Sequence, residues 1–142
     1  MACAGAAPRF RTLAVMLDDK IRQLAQGRNF ATVTTLMPDG TPQSSVLWID
    51  ADGDNLLFNT EVHRQKYRNV ARDPRVTVVI WDDDDAYSYG EVRGEVVETV
   101  TGPAARAHID QLAQKYTGAD YAATVQSERV ILKVAPKHQF VR

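Results

Sequence analysis

Residues 30–48 read FATVTTLMPDGTPQSSVLW, and this stretch decides the class of fold. Its first half is rich in β-branched residues, which strands favour, so residues 30–37 are predicted to form a strand. The PDGTP segment at 38–42 predicts a hairpin turn, because glycine tolerates positive φ and the two prolines restrict the flanks. Residues 44–49 then form the return strand. The chain is therefore expected to open its domain with a β-hairpin.

The pattern on both sides of this hairpin extends the β prediction. Four more strands are predicted at 56–60, 75–81, 86–100 and 130–134. Three helices are predicted at 18–25, 60–72 and from Pro103 to Gly118. Six strands without regular βαβ alternation indicate a mainly β, antiparallel sheet. Closing that sheet into a small barrel would remove its exposed edges.

Length, charge and cysteine content narrow the class of protein. The chain has 142 residues and a formal net charge of -1, which fits one globular domain and gives no basic excess for nucleic-acid binding. We expect a flexible N-terminal arm at 1–17, followed by a single domain at 18–142. The single cysteine, Cys3, excludes an intramolecular disulfide, and no early apolar run is long enough for a membrane span. A cytoplasmic protein is expected.

A cluster of cations follows the third predicted strand. Arg64 and Lys66 fall in the first turn of the predicted helix at 60–72, just after Thr60. Free N–H groups and the helix dipole favour an anion at such a terminus, and two cations with a hydroxyl suit a phosphate monoester. The alternative is a basic, exposed helix face.

Polar and aromatic residues on the strands suggest a wall for a planar ligand. Hydroxyl and amide side chains line the first three strands, and Trp48, Trp81, Tyr87 and Tyr89 supply aromatic surface. Packing in the core or at an interface would explain the same residues. Familiar catalytic motifs are missing, and the three widely spaced histidines give no metal-ligand spacing. No catalytic residue is assigned and no metal is expected.

The order and spacing of several segments resemble a known family. The segments are TLMPDGTP at 35–42, VLW at 46–48, FNT at 58–60, Lys66, NV at 69–70, DPR at 73–75, DDAYSYG at 84–90 and EVRG at 91–94. This arrangement resembles the split β-barrel flavin-binding family typified by pyridoxamine 5′-phosphate oxidase. Within it, the chain is similar to the actinobacterial branch that uses the deazaflavin coenzyme F420 in place of FMN.

That resemblance implies a six-stranded antiparallel split β-barrel with short peripheral helices, and a homodimer with a cofactor at each interface site. By position, Arg64 and Lys66 would hold the cofactor phosphate and Thr60 would donate its hydroxyl. The other implied cofactor contacts are Ser45, Val46, Leu47, Trp48, Asn59, Gln65, Tyr87, Ser88 and Tyr89. The substrate-phosphate clamp of pyridoxamine phosphate oxidases proper is not found in the C-terminal residues, so vitamin B6 oxidation is disfavoured.

The function implied is hydride transfer from reduced F420 to a planar conjugated small molecule. The proton that must follow could come from Tyr87, Tyr89 or water. Two alternatives remain at this point: an FMN-dependent oxidoreductase of the same fold, and a non-catalytic carrier or sensor of F420 or a flavin. FMN and F420 share the ribityl-phosphate part, so the paired cations do not discriminate between them.

Overall fold

The computed structural model describes residues 15–142, which form one antiparallel sheet with three helices. The strands are β1 (Phe30–Leu36), β2 (Pro42–Trp48), β3 (Asp50–Asp52), β4 (Asn55–Glu61), β5 (Arg75–Trp81), β6 (Tyr89–Val100) and β7 (Arg129–Val141). The helices are α1 (Asp19–Gln26), α2 (Gln65–Arg72) and α3 (Pro103–Thr117). The strand order is β2-β1-β5-β6-β7-β4-β3. The mainly β, split-barrel prediction is confirmed.

The hairpin that decided the fold forms as predicted. β1 and β2 pair from Phe30 opposite Trp48 to Leu36 opposite Pro42. Gly40 adopts a φ of 84°, and the Asp39 carboxylate accepts hydrogen bonds from the Thr41 amide at 3.0 Å and hydroxyl at 2.6 Å. The turn therefore fixes the register that brings Trp48 level with the start of β1.

The core lies on the inner face of the curled sheet. In β1, burial alternates with the two-residue period of a strand, as expected for a sheet with one face on the core. The helix α1 covers part of the core, and Gly90 admits its Ile21 side chain: a Cβ at Gly90 would lie 2.5 Å from Ile21 Cγ1. Gly94 is tighter still, since a Cβ there would lie 2.1 Å from the backbone oxygen of Ala135. These two contacts are why β6 carries glycine twice.

Several boundaries differ from the prediction. The sheet has seven strands rather than six, because residues 50–52, which lie between two predicted strands, pair with β4 as a short strand. The last strand does not stop at Val134 but continues to Val141, because its polar residues face solvent while the backbone still pairs with β6. The second helix begins at Gln65 rather than near Thr60, since β4 runs on to Glu61.

Leu17 lies near the N-terminal end of the described residues and packs into the core. Residues 1–14 of the predicted arm, including Cys3, lie outside the described residues. Leu17 is 2% exposed, and its amide donates to the Asp54 carboxylate at 3.0 Å. Within residues 15–142, no helix combines the length and apolar character that crossing a bilayer requires.

Candidate functional site

A pocket of about 290 Å³ opens where the ends of β2 and β4 meet α3. Its lining combines cationic, polar and apolar residues from six elements and two loops. The lining residues are Phe30, Val46, Leu47, Trp48, Asn59, Thr60, Arg64, Lys66, Ile109, Leu112, Tyr121 and Arg129. The charged members lie near the end of β4 in sequence or in register, and the apolar members come mainly from β2 and α3. The pocket therefore has the composition of a site for an amphiphilic small molecule.

The start of α2 supplies two of the three cations. Arg64 is the N-cap residue of α2, and its side chain makes no hydrogen bond to the first N–H groups of that helix. Lys66 follows in the first turn and is half-buried in the pocket wall. Burial lowers the pKa of Lys66, and the neighbouring positive charges of Arg64 and Arg129 lower it further. A bound anion close to Lys66 would offset both the loss of hydration and the repulsion from the two arginines.

The third cation, Arg129, comes from the start of β7. Its side chain is only 5% exposed, and its Nε donates to Asn59 Oδ1 at 2.8 Å. Antiparallel pairing places Arg129 directly opposite Glu61, and Arg129 Nη1 lies 3.6 Å from Glu61 Oε2. The same carboxylate oxygen lies 3.8 Å from Arg64 Nη2. Three positive charges therefore meet one negative charge at this end of the pocket.

Glu61 remains ionised although it is buried. Burial works against the charged form, but the backbone N–H groups of Ser127 and Gln126 and the charge of Arg129 outweigh it. The pKa of Glu61 is consequently lowered from its ordinary value. The carboxylate is thus a fixed negative charge behind the cations at neutral pH.

Asn59 links this cationic end to α3. Its Nδ2 donates to the Ala105 carbonyl at 2.9 Å and lies 3.0 Å from His108 Nδ1. Burial lowers the pKa of His108, and the charges of Lys115 and Arg129 act in the same direction against an opposing effect of Asp50. A neutral His108 accepting the Asn59 hydrogen bond is consistent with both observations. The network fixes the Asn59 carboxamide so that its oxygen faces Arg129.

The apolar end of the pocket is organised around Trp48. Its indole stacks on Tyr116, with ring centroids 5.2 Å apart and planes 6° apart, and meets the edge of Tyr121 at 6.3 Å. Tyr121 also lies 5.2 Å from the Arg129 guanidinium carbon, on the face of its ring. The indole is therefore held in one orientation between α3 and the loop that follows it.

Two buried hydroxyl groups indicate whether the pocket has unused hydrogen-bonding capacity for a polar ligand. Within the part of the chain that the structure describes, Thr60 Oγ1 and Ser45 Oγ are buried and have no hydrogen-bond partner. Buried hydroxyls are normally paired, and Thr60 lines the pocket beside the cations. A phosphate or sugar-like chain at this position would supply the missing partner of Thr60. The residues present thus fit a phosphorylated cofactor.

The pocket gathers seven of the residues singled out from the sequence: Val46, Leu47, Trp48, Asn59, Thr60, Arg64 and Lys66. It does not include Ser45, Gln65, Tyr87, Ser88 or Tyr89. Gln65 instead donates to Asn69 at 2.8 Å and accepts from Arg68 at 2.7 Å. Tyr89 packs against Phe140 with ring centroids 6.1 Å apart.

Sequence reasoning did not single out five lining residues: Phe30, Ile109, Leu112, Tyr121 and Arg129. The apolar ones looked like ordinary core positions. Arg129 could have been suspected from its place before the last predicted strand, but only the register shows that it faces Glu61. No group of three or more potential metal-binding side chains occurs within residues 15–142.

Comparison with known proteins agrees with this architecture. Residues 17–141 match the family described as pyridoxamine 5′-phosphate oxidase. An F420 reductase of known structure is 31% identical with a TM-score of 0.75, and the match covers 87% of this chain and 98% of that protein.

Two further solved structures are more distant. A conserved hypothetical protein from Mycobacterium tuberculosis is 25% identical with a TM-score of 0.66, over 91% of this chain and 86% of that one. General stress protein 26 from Bacillus anthracis shares the fold at 18% identity and a TM-score of 0.64, over 85% of this chain and 89% of that one. With the family match spanning nearly the whole described chain, the protein belongs to the pyridoxamine 5′-phosphate oxidase family of split β-barrels.

Proposed function

We propose that this protein is a reductase that uses reduced coenzyme F420 to reduce a planar conjugated small molecule. The pocket is the observation that carries the proposal. Arg64, Lys66 and Arg129 stand beside the unpartnered hydroxyl of Thr60, and Trp48 lies in the same pocket with the apolar lining from α3. That pairing of an anion-binding end with an aromatic end suits a phosphorylated cofactor with a fused ring system. The similarity to an F420 reductase favours the deazaflavin.

In this proposal, the side chains of the protein bind and orient the cofactor, and the bound deazaflavin ring supplies the hydride. Arg64, Lys66 and Thr60 hold the phosphate, and Arg129 adds a third cation close to them. Trp48, fixed by its stack on Tyr116, would line the ring and exclude water from that side. Tyr121 is the tyrosine that lines the pocket of the single chain, so it joins Tyr87, Tyr89 and water as a candidate proton donor.

We also propose that the protein is a homodimer in which a second copy completes each site. Val46 is 63% exposed although it lines the pocket, and Tyr87 is 76% exposed. Both side chains are available for burial against a second copy. Contacts from Tyr87, Ser88 and Tyr89 to the cofactor would then come from the partner copy. Light scattering at micromolar concentration tests this, and a monomer would contradict it.

The single cysteine favours a cytoplasmic setting.

The FMN-dependent and carrier alternatives are separated from the proposal by one experiment. Purified protein is titrated with F420 and with FMN while cofactor fluorescence and tryptophan fluorescence are followed. The complex is then offered a quinone and an enone. Binding of reduced F420 followed by its oxidation on addition of acceptor is expected. Tight binding of FMN without binding of F420 would overturn the F420 proposal, and F420 binding without turnover of either acceptor would favour the carrier.

A further inference from the structure

Glu61 occupies an unusual position between the pocket and the loop formed by residues 118–128. The side chain is 2% exposed, and each carboxylate oxygen faces a different partner set. Oε1 accepts the Gln126 amide at 2.6 Å and the Ser127 amide at 2.8 Å. Oε2 faces Arg129 at 3.6 Å and Arg64 at 3.8 Å. One buried carboxylate therefore joins the end of the loop to two cations of the pocket.

The loop held by Glu61 carries Tyr121 to the pocket. At its other end, the Tyr121 amide donates to the Asp110 carboxylate of α3 at 3.0 Å. The Tyr121 ring then meets Trp48 edge-on and lies over the Arg129 guanidinium. The position of this ring is consequently set by an α3 tether on one side and the Glu61 tether on the other.

All four neighbours of the Glu61 carboxylate are hydrogen-bond donors or cations. Two acceptor oxygens satisfy both sides, whereas the carboxamide of glutamine has one oxygen and one NH₂ group. Glutamine at this position must turn its NH₂ group either toward the loop amides or toward the arginines. In the first orientation the two loop amides lose their acceptor, and in the second they keep a weaker one while the arginines lose the negative charge that faces them.

We propose that Glu61 is a positioning residue that orients Arg129 and the 118–128 loop around the anion-binding end of the pocket. As far as it concerns a bound cofactor, this inference rests on the proposed function. It differs from the simpler view that Glu61 only offsets positive charge. Three cations and one carboxylate leave a local charge of +2, so losing the carboxylate raises it to +3. A pure counter-charge predicts tighter anion binding after that loss, and a positioning role predicts weaker binding.

The test compares Glu61→Gln with the wild-type protein and with a matched control, Glu98→Gln. Glu98 is exposed and pairs with the partly buried Lys133 at 3.3 Å, so its substitution removes the same charge away from the pocket. Dissociation constants for F420 and FMN are measured by fluorescence. Glu61→Gln is expected to weaken binding by about tenfold or more, the scale of one charge-assisted hydrogen bond, and Glu98→Gln to leave it unchanged. Equal or tighter binding by Glu61→Gln would overturn the positioning role.

A second readout needs no cofactor and so separates this inference from the proposed function. Amide hydrogen exchange of Gln126 and Ser127 is followed in the ligand-free protein, with the Val62 amide, bonded to the Glu128 carbonyl at 3.0 Å, as internal reference. Exchange at Gln126 and Ser127 is expected to accelerate about tenfold in Glu61→Gln while Val62 stays protected, because even a carboxamide oxygen turned toward these amides is a weaker acceptor than the charged carboxylate. Unchanged exchange at both amides would refute the tether.

If Glu61→Gln does not fold, Glu61→Asp is used for both measurements. It keeps the charge and both acceptor oxygens but is one methylene shorter, so it cannot reach both partner sets. Glu61→Asp is expected to bind cofactor more weakly and to exchange the Gln126 and Ser127 amides faster than the wild-type protein, and wild-type values for both would contradict the positioning role. If the wild-type protein binds neither F420 nor FMN, the proposed function fails, and the exchange data still decide the role of Glu61.

Discussion

Replacing Lys66 with methionine isolates the charge that we assign to the cofactor phosphate. Methionine keeps most of the apolar stem, so the half-buried packing of the side chain in the pocket wall is retained. Only the ammonium group is lost. Any change in binding then reports on the interaction between that group and the ligand.

The expected loss follows from the environment of the ammonium group. A hydrogen bond to a charged group contributes about 1.5–3 kcal/mol, so its loss should raise the dissociation constant for F420 or FMN roughly 10- to 150-fold. The free energy of unfolding of the ligand-free protein should rise slightly or stay unchanged in Lys66→Met. Burial and the repulsion from Arg64 and Arg129 lower the pKa of Lys66, so the charged form is a cost to the ligand-free fold.

Fluorescence titration and urea denaturation measure the two effects separately. The control is Lys137→Met, which removes an exposed lysine paired with Glu95 at 2.8 Å, outside the residues that line the pocket. Such surface pairs contribute about 0–1 kcal/mol, and cofactor affinity should not change. If Lys66→Met binds both cofactors within twofold of the wild-type value, the phosphate lies elsewhere and the assignment of the anion-binding end is wrong.

Three further predictions test other parts of the structure. Gly94→Ala should lower the free energy of unfolding by about 3 kcal/mol or more, and by more than Gly90→Ala does, because the new Cβ at position 94 would meet backbone and the one at position 90 a side chain. Urea denaturation measures both losses, and equal losses would contradict this. Asn59→Ala should cost about 2–4 kcal/mol, since Arg129 Nε and two other buried groups lose their partner; a change below 1 kcal/mol would contradict the network. Cofactor affinity should fall as pH rises through the lowered pKa of Lys66, below 10.5, because the ammonium loses its proton there, and Lys66→Met should show no such step.

Local sequence signals were sufficient for most of the fold. The β-branched run before Pro38 and the turn at Gly40 define β1, β2 and their register, and the structure has the same hairpin. The helix predicted at 18–25 is observed at Asp19–Gln26, and the Asp18 carboxylate accepts the Lys20 amide as an N-cap residue does. These elements depend on residues close together in the chain, which is why a single sequence suffices for them.

The failures concern segments whose structure depends on distant partners. Residues 50–52 were not predicted as a strand, yet they pair with β4 and form one. The last predicted strand ended at residue 134, yet residues 135–141 continue it by pairing with β6. A hydrophilic segment at a sheet edge can pair through its backbone alone, so side-chain pattern is a weak guide there. The same reasoning explains the late start of α2, because pairing with β7 extends β4 to Glu61.

The candidate site was only half predictable for a related reason. Arg64 and Lys66 are close in sequence, so their charge could be recognised as a cluster without any structure. Arg129 is 65 residues beyond Arg64, and β4–β7 pairing alone brings it opposite Glu61. Charge counted along the chain therefore underestimates a site that strand register assembles. It also misses the carboxylate, because the sequence does not single out Glu61, whereas in the fold its two oxygens face two of these cations and the loop beside them. A near-neutral protein can for this reason contain a pocket with a cationic end, because what a ligand would meet is the local arrangement of four charges and not the net charge of the chain.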